Sequence, residues 1–95
     1  MLDLNAVPVP SDDFVVREVG DETVFLADSG REVLSLNAVG SFIWKQMDGA
    51  HTLQNILDII CHEFEVDVER AETDLRAFVG ELEAHKLLSL QTTES

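Results

Sequence analysis

One stretch constrains this fold more than any other: EVLSLNAVGSFIWKQMDG, running from Glu32 to Gly49. Alternation along Glu32–Leu36 puts Leu34 and Leu36 on one side of a strand and Val33 and Ser35 on the other. A helix has to begin almost at once, because Val39, Phe42, Ile43 and Met47 recur at helical spacing, with Trp44 widening the same stripe. Asn37 is the joint, since its side-chain oxygen can take a free amide of the first helical turn. Asp48-Gly49 closes the helix. A strand that hands the chain straight to a core helix must lie in a sheet packed on that helix. The functional question follows from this geometry: is strand 32–36 an edge, and what adds to it?

The flanking sequence supplies the rest of a small domain. Phe14–Glu18 and Glu22–Asp28 are short β-rich runs separated by Gly20-Asp21, and Ser29-Gly30 leads into Glu32–Leu36. Turns this short permit only antiparallel neighbours. After Gly49 the period is helical throughout. Thr52 is placed to cap a helix with Leu53, Ile56, Leu57, Ile60, Cys61 and Phe64 on its buried side. Asp67 is placed to cap a second, in which Val68, Ala71, Leu75, Phe78, Val79 and Leu82 form one stripe. The expected fold is α+β and winged helix-turn-helix-like: a three-stranded antiparallel sheet followed by a three-helix bundle. Residues 1–13, with Val7-Pro8-Val9-Pro10, are expected to form an extended, loosely attached arm. The folded domain spans 14–90, with Leu87, Leu88 and Leu90 as a short packed tail and residues 91–95 frayed.

Charge narrows the partners. Nineteen acidic against six basic residues give a net charge of −13, a surface that repels phosphate backbones and anionic lipid. No apolar run reaches the roughly 20 residues of a membrane span, and Leu2-Asp3 is no secretory start, so a cytoplasmic protein without membrane contact is expected. Catalytic and metal sites are not expected. Cys61 and His62 are neighbours on a helix and point about 100° apart, so they make no nucleophile–base pair. Cys61 falls on the apolar stripe, His51, His62 and His85 lie in separate elements, and no glycine-rich phosphate loop or cofactor motif occurs.

The string LSLNAVGSFIWKQMDGAHTLQNILDIICHEFEVDVERAETDLRAFVGELEAHKLL resembles the PqqD family. The shared pattern is a strand ending in Leu-Asn, a helix with Ile-Trp, Asp-Gly, a Thr-capped helix with paired isoleucines, and Asp-Leu-x-x-Phe before a final Leu-Leu. The likeness covers roughly Phe14 to Leu90. It implies a winged-helix-like module, a RiPP recognition element, that binds the leader of a ribosomally made precursor peptide. Such a module presents the leader to a maturation enzyme such as a radical SAM protein or a leader peptidase. It also implies that the leader lies between the third strand and the third helix. Pyrroloquinoline quinone biosynthesis and lasso-peptide pathways are both open to such a module.

The residues themselves fit such a role. An edge strand Glu32–Leu36 would leave amides and carbonyls free for an added peptide strand. The candidate peptide-binding residues are therefore Glu32, Val33, Leu34, Ser35 and Leu36, with Asp74, Phe78, Glu81 and Leu82 as the helical wall. A basic or aromatic leader side chain can meet Asp74 or Glu81 there. Taken singly, these residues are also what a solvated acidic flank beside a core phenylalanine would show. The opposite flank, Glu72, Arg76 and Glu83, is a competing wall. The alternative function is a winged-helix DNA-binding regulator, disfavoured because Val68–Lys86 sets only Arg70, Arg76 and Lys86 among five carboxylates. An edge that binds peptide can also pair with its own copy, so a monomer or weak dimer is expected.

Overall fold

The computed structural model describes residues 3–92. The chain runs β1 (Val7–Pro10), β2 (Val15–Val19), β3 (Glu22–Leu26), β4 (Glu32–Leu36), α1 (Ala38–Lys45), α2 (Leu53–Phe64), α3 (Val68–Ala84) and β5 (Leu88–Gln91). The fold is α+β, and its three-stranded antiparallel sheet has the order β2-β3-β4. Gly20, at φ 63°, lets a two-residue turn join β2 to β3. Thr23 pairs with Leu36 and Phe25 with Leu34, so these four side chains share the face that α1 covers. Phe25 is buried there, and Trp44 meets its ring edge-on at 4.9 Å. Beside them Thr23 and Ser41, both buried, join sheet to helix through a 2.8 Å hydroxyl–hydroxyl hydrogen bond.

The α1 stripe differs from its expected form at two positions. Met47 and Ile43 are buried, but Val39 is 49% exposed and Trp44 is only half-buried. With eight residues, α1 has two turns, and its inner face is filled at the first turn by Gly40 and Ser41 instead of Val39. On α2, Thr52 and Asn55 form a complete capping box, and Leu53, Ile56, Leu57 and Ile60 are buried. Cys61 and Phe64 pack at the edge of the core, Phe64 against Phe42 at 5.4 Å. Glu65, in the left-handed conformation at φ 51°, turns the chain into α3. Asp67 occupies the capping position of α3 without making a side-chain cap bond. Ala71, Leu75, Val79 and Leu82 are buried as expected, whereas Val68 at the first turn is 57% exposed.

The amino-terminal segment corrects an expectation. It is extended, but it is not loose: β1 pairs antiparallel with β5 over Val7–Pro10 and Leu88–Gln91, and Ala6 and Pro8 are buried. The carbonyls of Ala6 and Leu4 accept hydrogen bonds from Leu53 N and Gln54 N, at 2.9 and 2.8 Å. They thus satisfy first-turn amides of α2 that the helix cannot satisfy itself. The prolines fit because, among the described residues, β1 pairs only with β5, so amides facing away from β5 are dispensable. The short tail is likewise a strand. Of the tail taken as frayed, Gln91 is paired, and residues 93–95 lie outside those described.

Candidate peptide-binding cleft

The strand order makes β4 an edge, since only β3 pairs with it among the described residues. Asn37 turns the chain from β4 to α1 in one step: its backbone is extended at φ −74°, ψ −176°, and its Oδ1 accepts from Gly40 N at 2.8 Å. The first turn of α1 therefore sits directly beyond the end of β4. Gly40 permits one more approach. A β-carbon at this position would stand 3.4 Å from Cε1 of Phe78 and 3.3 Å from Cβ of Leu36. The ring of Phe78 thus lies at contact distance from this position of α1, and a side chain here would crowd Leu36 first.

Between these elements lies an open cleft of about 310 Å³. Ser35, Leu36 and Asn37 form its strand side, Val39, Gly40 and Ile43 its α1 side, and Asp74, Phe78 and Glu81 its α3 side. Of the residues expected at a binding site, Ser35, Leu36, Asp74, Phe78 and Glu81 thus meet at one cavity. Glu32, Val33 and Leu34 lie upstream on the same edge strand.

Leu82 does not belong with them. It is fully buried in the core and cannot touch a bound chain. Four residues along a helix add about 40° of rotation beyond one full turn, which carries Leu82 from the flank of Phe78 to the middle of the buried face. The competing flank lies elsewhere. Arg76 and Glu83 line a separate depression with Asp3, Ala6, Leu90 and Thr92, between α3 and the terminal β1–β5 ribbon. Arg76 is paired with Glu72.

Sequence reasoning missed Asn37, Val39, Gly40 and Ile43 as lining residues. Two signals were present. A glycine inside a short helix costs about 1 kcal/mol relative to alanine unless something needs the space, and Val39 is the stripe residue nearest the exposed start of α1.

The other sheet edge is different. β2 exposes Val15, Val16 and Val19, but the groove beside it is bridged where Glu18 meets Lys45 of α1 at 2.7 Å. Elsewhere, the α1–α2 loop holds Asp48, whose Oδ1 accepts from Ala50 N at 2.9 Å and lies 3.0 Å from Nδ1 of His51. The Ala50 amide first, and His51 next, keep this carboxyl below its ordinary pKa. Among the described residues, no three His, Cys, Asp or Glu side chains cluster to hold a metal ion, and no helix is long and apolar enough to cross a membrane.

The family profile described as Coenzyme PQQ synthesis protein D (PqqD) matches residues 22–88, a span that contains β3, β4, all three helices and every cleft residue. The chain belongs to the PqqD family. Its fold is also similar to that of a solved structure, "TbiB1 in Complex with the TbiA(beta) Leader Peptide". That chain is 37% identical, with a TM-score of 0.75, and the likeness covers 84% of this chain and 93% of TbiB1. Comparison with curated proteins finds no match. β4 is the third strand of the three-stranded sheet and α3 the third helix.

Proposed function

We propose that this PqqD-family protein binds the leader segment of a ribosomally made precursor peptide and presents it to a modifying enzyme, itself catalysing no reaction. The observation that carries the reading is the free edge of β4 opening into the cleft walled by Phe78. An extended peptide gains backbone hydrogen bonds from an unpaired edge irrespective of its sequence, and side-chain contacts beside the edge make the choice. TbiB1, similar over most of both chains, is named with a leader peptide, which supports the same class of ligand here. The enzyme that completes the role is of the maturation type, a radical SAM protein or a leader peptidase. A DNA-binding role finds no support in α3, where Arg76 is engaged by Glu72 and the remaining base, Arg70, is outnumbered by carboxylates on the same helix.

Leader peptides from short precursor genes adjoining this one test the reading. On titration, the alternate amides of Val33–Leu36 that face away from β3 should gain protection from hydrogen exchange, and signals of Asp74–Glu81 should shift. Phe78→Ala should weaken binding by roughly ten- to a hundredfold, as for an aromatic anchor at the centre of a small interface. Its circular dichroism spectrum should match that of the wild type, because the ring is only half-buried. Leader binding that leaves the β4 amides unprotected would show that the peptide docks elsewhere.

A further inference from the structure

The cleft has a chemical pattern as well as a shape. Asp74, Phe78 and Glu81 stand on successive turns of one flank of α3, so an apolar ring lies between two carboxylates. Along the helix axis the intervals are about 6 Å and 4.5 Å. Side chains on one face of an extended peptide recur about every 6.7 Å. A strand added along β4 passes all three residues of this flank, and because its 6.7 Å step exceeds both helical intervals, long flexible side chains at i−2 and i+2 suit the two carboxylates better than short ones. No lysine or arginine lines the cleft. Asp74 has only a loose ion pair, 3.8 Å from Arg70 with both side chains largely exposed, and Glu81 makes none among the described residues. Of the two acidic posts, Glu81 thus has no ion-pair partner among the described residues and Asp74 only the loosely held Arg70 outside the cleft. The net charge of −13 extends the same preference to longer range.

We propose that the peptide segment seated in this cleft carries an apolar side chain on Phe78 flanked, two residues away on both sides, by basic side chains that meet Asp74 and Glu81. This rests on the strand-addition reading and specifies its ligand. Asp74 and Glu81 act as specificity determinants, while the β4 edge holds the backbone. Exposed ion pairs are individually weak, so the pattern sorts one leader from another more than it sets the affinity.

The test uses four fluorescein-labelled synthetic peptides on the full chain. The first is Thr-Thr-Lys-Thr-Leu-Thr-Lys-Thr-Thr. In the second and third, glutamine or glutamate replaces both lysines, and in the fourth serine replaces the leucine. Anisotropy gives affinities, and amide spectra of the ¹⁵N-labelled protein report on β4. The lysine peptide should bind tightest. Glutamine should weaken it roughly three- to tenfold, the range of two exposed charge contacts, and glutamate and serine should weaken it further. The lysine preference should shrink between about 50 mM and 500 mM salt, and Asp74→Asn with Glu81→Gln should reduce it to the remainder owed to the net charge, which about 500 mM salt removes. Equal binding of the lysine and glutamine peptides, or a lysine preference that the double substitution leaves undiminished, would overturn the charge rule. If both peptides still perturb Val33–Leu36 in that case, strand addition stands and only the charge rule fails. If no peptide perturbs those amides at millimolar concentration, both fail together.

Discussion

The Thr23–Ser41 hydroxyl pair offers the sharpest check on how the cleft is held. Thr23 lies on the middle strand of the sheet and Ser41 on α1, and their 2.8 Å hydrogen bond is buried at 1% and 3% exposure. Ser41 Oγ in turn reaches the Leu36 carbonyl at a long 3.4 Å, so α1 is tied both to the sheet and to the last residue of β4. Ser41→Ala strands the Thr23 hydroxyl in a dry interior, at a cost of about 1–3 kcal/mol. For a domain of this size, ~2 kcal/mol corresponds to roughly 8–16 °C in Tm. Thr23→Val, nearly the same shape, leaves Ser41 with its long carbonyl contact, and should cost about 1 kcal/mol. Making both changes removes both polar groups, so the pair should cost less than the two single changes summed, with a coupling of about 1–2 kcal/mol. Urea unfolding followed by the single tryptophan, Trp44, reads out all four proteins, since Trp44 packs beside this bond on Phe25. Strictly additive costs would refute the reasoning, because they would mean that the hydroxyls do not depend on one another.

Three further outcomes follow from the same contacts. Trp44→Ala should cost about 1–3 kcal/mol, below the ~3–5 kcal/mol of a fully buried aromatic, because the ring is only half-buried beside Phe25; calorimetric Tm checks this. Deleting residues 1–11 strips the amide acceptors of α2 and the partner of β5, and should lower Tm by more than about 15 °C, which thermal circular dichroism would show. Asp48→Ala should lower Tm at neutral pH. The Asp48 carboxyl has a folded pKa below its ordinary 3.8, so its charge adds stability above that value and loses it as pH falls through the lower folded one. The gap between variant and wild type should therefore narrow on the acid side of 3.8, and a gap that widens there would contradict the assigned bonds.

Local chemistry alone placed most of this fold. The one-residue joint at Asn37, the Thr52 cap, the alternation in Glu32–Leu36 and the stripes of α2 and α3 are contests between neighbours in sequence, decided by backbone hydrogen bonding and period. The same holds for the composition of the cleft's α3 wall, because Asp74, Phe78 and Glu81 share a flank of any helix formed there.

Tertiary structure decided what depends on distant partners. Val7-Pro8-Val9-Pro10 reads as an arm because prolines give up amide donors, and only pairing with Leu88–Gln91 makes those missing donors harmless. Val39 left its expected place in the core because a periodic stripe marks an apolar face but not where along it the neighbouring element ends, whereas Leu82 kept its place on the stripe and only its assignment to the binding wall failed. The sheet order that makes β4 an edge is likewise a long-range fact, as is the approach of the Phe78 ring to the Gly40 position of α1. Burial is set by whichever element lies opposite, and a linear sequence records that only through the packing it permits.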